Sequence, residues 1–325
     1  MAAAGTGTVE ASARQPLPIA AGGLLLALAA CAAAPLYLGE YGTQILFRFL
    51  VVLVLAEAWN LMAGYTGLVS LGTSSAVGLG GYVLVGLVNH SALPLGLVLV
   101  LAAGAGAVLA GAAAPGLLRL RGLYFTVGTL ALAEALRLVM INVDRFGGAS
   151  GLFLDREPPG LSELVWIATG LLAATWLVLL LVDRSSISVL LRAVRDDEDV
   201  AAQLGVRCHW VKLAVFAAAS ALMASAGGLQ ALKLGAIEPY GMFGLRWSID
   251  ALSMVIIGGL GQRAGPLVGA AVVVVSAELL ADYPEAHLAL TGVLLITMMR
   301  FAPHGLVGLG SGFRTRRRPT RGVMA

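Results

Sequence analysis

Runs of mostly apolar residues follow one another with few breaks, at 17–38, 45–63, 74–92, 95–117, 123–142, 164–182, 211–233, 246–260, 265–281 and 288–302. The hydrocarbon core of a bilayer is ~30 Å thick and a helix rises ~1.5 Å per residue, so each run approaches the ~20 residues of one crossing. Backbone groups in that layer find no water, and a helix lets a single run satisfy its own. The expected class is therefore all-α: a polytopic integral membrane protein with about ten transmembrane helices. Composition agrees, with 59% of residues hydrophobic and 12% charged, where a soluble domain has about a quarter charged. The 42 glycines suit helices that approach closely through small residues.

The membrane domain is expected to take up residues 16–310. Residues 1–15, rich in Ala, Gly and Thr without apolar periodicity, read as a mobile tail, and 311–325 as a basic tail. The first run is too long for a signal peptide and has no basic start beyond Arg14, so it reads as an uncleaved helix.

Positive residues in short loops stay cytoplasmic. Arg119 and Arg121, then Arg184, Arg192, Arg195, Arg207 and Lys212, then Arg263, and finally Arg314 to Arg321 fall on one side if the runs alternate. Both termini are then cytoplasmic, and the loops near 39–44, 142–163, 234–245 and 282–287 lie outside. Arg48 and Arg246 fall near the outer ends of their helices, within reach of headgroups. The net charge is only +3 and the arginines answer to orientation, so no nucleic-acid partner is expected.

The loop at 183–212 is the one long polar stretch, and it reads as two short helices. The first runs from Ser188 to Arg195 and carries Arg192. Asp196 is expected to cap the second, Asp197, Glu198 and Asp199 place negative charge at its positive end, and Gly205 stands where a left-handed stop belongs. Val200 and Leu204 are four apart and share a face, with Ala201 beside them. A groove on another cytoplasmic protein would bury that face.

The segment LLRAVRDDEDVAAQLGV resembles the cytoplasmic coupling loop of ATP-binding-cassette importer permeases. Its surroundings resemble one branch, the LivM-type permeases of branched-chain amino-acid uptake systems. AWNLMAGYTGLVSLGTSSAVGLGGY at 58–82, GLYFTVGTLALAEALR at 122–137, GGLGQRAGPLVGA at 258–270 and FAPHGLVGL at 301–309 carry the likeness in the family's order. Leu68 stands where the family often has Gln, and Thr73 where it often has His. The resemblance implies a permease subunit in the bacterial inner membrane, beside a second, LivH-type permease. It also implies two cytoplasmic ATPase subunits that hold ATP and magnesium, and an external solute-binding protein. A P-loop needs Gly-Lys followed by Ser or Thr; Lys212 and Lys233 follow Val and Leu, so no nucleotide cofactor is expected in this chain.

Ionisable residues within the runs are candidates for a translocation path, because each is costly against lipid. Glu57, Asn60 and Gly64 share one helix face. The stretch that follows adds Tyr65, Gly67, Ser70 and Thr73, where glycines permit a helix break or close packing and hydroxyls satisfy freed backbone. Glu134 is three residues from Arg137 and reads as its ion-pair partner, with Tyr124 and Gly128 preceding at helical spacing. Gly258, Gly259 and Gly261 read as a short cytoplasmic turn. No catalytic or metal-binding constellation emerges, since His90, His209, His287 and His304 lack ligand spacing. Two other readings stay open: an ion-coupled secondary transporter working through Glu57 or Glu134, and a membrane enzyme using the acids at 196–199.

Overall fold

A computed structural model describes residues 17–302 and 305–309. The tails at 1–15 and 311–325, with Arg314 to Arg321, lie outside the described residues, as does His304. The chain forms α1 (Leu17–Ala33), α2 (Glu40–Thr66), α3 (Thr73–His90), α4 (Leu95–Leu117), α5 (Leu123–Asn142), β1 (Leu152–Phe153) and α6 (Leu161–Arg184). It continues through α7 (Ile187–Asp196), α8 (Glu198–Gln203), α9 (Cys208–Leu234), β2 (Ala236–Ile237), α10 (Pro239–Met242), α11 (Arg246–Gly258), α12 (Gly265–Leu279) and α13 (Pro284–Phe301).

Among the described residues, 7 stretches are long and apolar enough to cross a bilayer: α2, α4, α5, α6, α9, Pro239–Gly258 and Ala289–Leu309. A helix occupies each of the other expected positions, but α1 and α12 offer only shorter apolar stretches. In α3, Thr73, Ser74, Ser75 and the glycines at 78, 80 and 81 dilute the apolar content.

Burial separates pillars from periphery. The apolar windows of α2 and α9 are 72% and 67% buried, against 28%, 22% and 28% for α4, α5 and α6. A helix apolar on all sides belongs in the centre of such a bundle. A close crossing lies between α3 and α9, where Gly80 faces Ala224 and Gly227 faces Val77, backbone against backbone. These residues recur every three or four positions on each helix, the small-residue stripe through which membrane helices approach.

One loop differs from expectation. Residues 234–245 are not all loop; the chain turns at Gly235, pairs β2 antiparallel with β1, and from Pro239 folds back along α3 as the start of a candidate span. Asn89, at the end of α3, donates to the Phe153 carbonyl at 2.7 Å. Phe243 fills the space beside Gly78, and Ser248 donates at 2.6 Å to the Leu71 carbonyl just before α3 begins. The candidate span therefore begins at Pro239, and Arg246 is the first residue of α11 within it. Pro239, Gly241 and Gly244 look like loop punctuation in sequence; the apolar seat for Phe243 overrides them.

Candidate functional site

α2 ends at Thr66, capped by Gly67 with φ +74, and six residues, 67–72, pass before α3 starts. This break is buried at Leu68, Ser70 and Gly72, so its freed backbone groups need partners. Side chains supply them. The Trp59 indole donates to Ser70 O at 2.9 Å, Thr126 Oγ1 donates to Val69 O at 2.8 Å, and Thr129 Oγ1 accepts from Leu71 N at 3.1 Å. Ser70 Oγ accepts from Gly72 N at 3.0 Å. The hydroxyls of Thr73 and Ser74 are buried with no such partner among the described residues.

The turn at 259–264 docks on α2 directly beside this break. Asn60 Oδ1 accepts from Gly261 N at 2.8 Å, and Asn60 Nδ2 donates to Gln262 O at 3.3 Å. A side chain at Gly64 would meet the Gly261 backbone at 2.8 Å, so only glycine admits the turn. Arg195, at the end of α7, donates to Gly64 O and lies against Gly67. Asn60, Gly64, Gly67 and Arg195 are thus brought together around a joint between break, turn and polar loop. Arg263 of the same turn pairs with the buried Asp183 at 2.8 Å, and Asp183 also bonds the Tyr65 hydroxyl.

The polar loop forms the two helices expected, with two corrections. Asp197, not Asp196, caps α8: its Oδ1 accepts from Asp199 N at 2.9 Å and Val200 N at 3.0 Å, while Asp196 is the last residue of α7. Ala201 does not share the outward face; it is buried against Val194 and Cys208, and only Val200 and Leu204 point away, 50% and 79% exposed. At the other end Gly205 takes φ +88, Val206 N donates to Ala201 O and Gly205 N to Ala202 O, which closes the helix by the 6→1 and 5→2 bonds of a Schellman stop.

α8 is anchored by charge as well as by Ala201. Lys212, nearly buried in the first turns of α9, donates to Glu198 Oε2 at 2.5 Å. Arg121, just before α5, makes two bonds to Asp199 at 2.9 and 3.0 Å. That guanidinium holds the Asp199 carboxyl below the usual carboxylate range. The acids at 197–199 are therefore a cap and two ion pairs, which accounts for them without catalysis. Arg121 and Lys212 were legible as positive loop markers, but nothing in their spacing told which acids they would meet. Arg192 is exposed on α7.

The remaining candidates do not converge. Glu57 is buried and accepts from the Trp176 indole at 3.3 Å. On α5, Tyr124 is 77% exposed, Gly128 is half-buried, and Glu134 pairs with Arg137 as expected. Arg137 in turn lies over the Tyr240 ring at 5.0 Å.

The cap assignment yields a measurable contrast. Asp197→Ala should lower the local stability of α8 by about 1 kcal/mol, whereas Asp196→Ala should leave it within a few tenths. Hydrogen exchange at the amides of 199–203 reads the difference; acceleration in Asp196→Ala but not in Asp197→Ala would return the cap to Asp196.

A family model described as the permease component of the branched-chain amino acid transport system matches residues 42–302. The chain belongs to this family. The permease is 28% identical to the high-affinity branched-chain amino acid transport system permease protein LivM of Escherichia coli, over 87% of its own length and 74% of that protein's. It is 29% identical to LivM of Salmonella typhimurium over the same shares. A more distant likeness, 27% identity over 46% of this chain and 47% of the other, links it to the permease protein LivH of Salmonella typhimurium. No solved structure matches. The joint at Asn60, Gly64 and Gly261, like the ion pairs of α8, lies within the matched residues.

Proposed function

We propose that this permease is a membrane subunit of an ATP-driven importer of branched-chain or related hydrophobic amino acids in the bacterial inner membrane. Its relatives' names support the substrate class, and its likeness to LivH supports pairing with a second permease of that type. α1, α3 and α12 would complete the crossings to about ten, with both termini cytoplasmic by the distribution of Lys and Arg. Two ATPase subunits, which hold ATP and magnesium, dock on the cytoplasmic side, and a solute-binding protein delivers solute outside. Tyr124, Gly128 and Glu134, on the little-buried helix α5, face the second permease and the path between the two chains.

The observation that carries this reading is α8. Its underside is locked to α9 and to Arg121, just before α5, by Ala201, Glu198 and Asp199, while Val200 and Leu204 project outward, 50% and 79% exposed among the described residues. A helix fixed below and apolar above transmits a push: closure of the ATPases moves α8, Arg121 and Lys212 carry the motion to α5 and α9, and Arg195 carries it to the joint at Gly64. The path thereby alternates between its two openings.

Leu204→Asp tests it. A charge in the ATPase groove should uncouple uptake from ATP hydrolysis or release the ATPase subunits, with the melting temperature of the permease unchanged, since Leu204 is exposed in this chain. A variant that keeps its ATPases and transports at the normal rate would remove α8 from this role. Uptake that survives ATP depletion with an ion gradient intact would favour ion coupling.

A further inference from the structure

We propose that the cavity between α2, α9, α11 and α12 is a subsite that takes the carboxylate and aliphatic side chain of the transported amino acid; this rests on the importer reading above. The cavity has a volume of about 400 Å3, within the ~300–1,000 Å3 of small-molecule sites. Arg48 of α2, Lys233 of α9 and Arg246 of α11 line it, together with Val52, Met254 and Val273. Cationic groups beside an aliphatic lining match a small amphiphile with a carboxylate at one end.

Three cations that line one cavity repel one another, and the Arg246 side chain, 58% exposed, also reaches solvent. Only part of that charge is answered. Arg246 lies 3.7 Å from Asp250. Lys233 lies over the Phe47 ring, 5.4 Å from its centre, and neither Lys233 nor Arg48 has an ion-pair partner among the described residues. With Asp250 the lining carries two positive charges in excess, and an anionic group is what such a lining recognises. Side chains that served only to reach headgroups would diverge from one another; these converge from separate helices on one space.

Position supports a role in transit. Lys233 is in the last turn of α9, next to β2, at the end of the bundle where β1 and β2 pair. Arg246 follows Phe243, which packs beside Gly78, and precedes Ser248, which bonds Leu71. The cavity therefore extends from the β1–β2 end, external in the proposed orientation, toward the middle of the bundle. An imported solute would meet it early.

The experiment uses the full transporter, with both permeases, the ATPases and the solute-binding protein, in nanodiscs for labelling and in proteoliposomes for uptake. The native Cys31 and Cys208 are replaced by Ala, and Gln230→Cys, on the cavity lining, reports access to a methanethiosulfonate label. Leucine should slow labelling, and isoamylamine, which keeps the aliphatic chain but has no carboxylate, should not. Lys233→Met should abolish the protection and reduce ATP-driven leucine uptake about tenfold or more, the effect of one lost charge-assisted hydrogen bond. Lys233→Arg should keep both, with the ATPases co-purifying in either variant as evidence of folding. Equal protection by isoamylamine, or unchanged protection and uptake in Lys233→Met, would overturn the subsite. Labelling that follows the phosphatidylglycerol content of the disc and ignores leucine would also overturn it, by assigning the cavity to lipid. A parent complex that binds no ATPase would instead defeat the importer reading, and leucine protection of Gln230→Cys would still be open to measurement.

Discussion

Gly80→Ala and Gly86→Ala, the same change on the same helix, should act in opposite directions, the first by unfolding the permease. A methyl group at Gly80 would stand 2.0 Å from the Ala224 carbonyl oxygen and 2.6 Å from the Ala224 Cα. Both atoms are backbone, so no side chain can swing away and α3 must move off α9. Separation also opens the contact of Gly227 with Val77 one turn along, where a Cβ would lie 2.2 Å from a carbonyl oxygen. Overpacking alone costs ~1–3 kcal/mol, and displacement of two core helices should take the loss to the upper end or beyond. At Gly86 nothing lies within 4 Å of the added carbon, so the higher helix propensity of Ala should be neutral or stabilise by up to ~1 kcal/mol. Melting of the detergent-solubilised protein separates the two. Equal melting temperatures would mean that α3 and α9 do not cross at Gly80.

Lys212→Met should loosen α8 without unfolding the bundle. The Lys212 side chain is 6% exposed and its ammonium binds Glu198 at 2.5 Å. Its loss leaves Glu198 with Arg121 at 3.7 Å on an exposed side chain. Breaking a buried pair costs ~3–5 kcal/mol, but Glu198 is 24% exposed, so about 2 kcal/mol is expected once water shares the load. Hydrogen exchange across 198–204 should accelerate, and ATP-driven uptake should fall. Adding Glu198→Gln removes the orphaned charge and should recover part of the protection. If the single variant protects these amides as well as the parent does, Lys212 is not the anchor.

Local features of this chain were legible in its residues because local rules govern them. The apolar runs marked the helices, and Gly205 marked the end of α8, since a left-handed stop depends on one residue and its immediate neighbours. The cap was misassigned because Asp196 and Asp197 both satisfy the composition of an N-cap. The choice lies in the backbone: Asp197 is extended at φ −156, ψ 109, where its carboxylate meets the free amides. Ala201 was assigned to the outward face by spacing alone, yet a short helix with a small residue turned inward packs closest to its support. The 234–245 segment differs from its local reading for the same kind of reason, as Pro239 and its glycines describe the local chain and Gly78 supplies the seat for Phe243 from far away.

The sequence by itself determined the class, the positions of the helices, the polar loop with its two short helices, and the family. These follow from length, apolarity and short-range spacing, which every residue carries with it. Tertiary structure decided what those residues do. It turned Asn60 and Gly64 into the seat of the 259–264 turn, matched Arg121 to Asp199 across 78 residues of chain, and gathered Arg48, Lys233 and Arg246 around one cavity. Each of these depends on which helices lie side by side. In a membrane protein, where nearly every helix is apolar on most sides, hydrophobic patterning does not specify neighbours, and the choice passes to small-residue stripes and buried polar contacts that exist only after the helices have met.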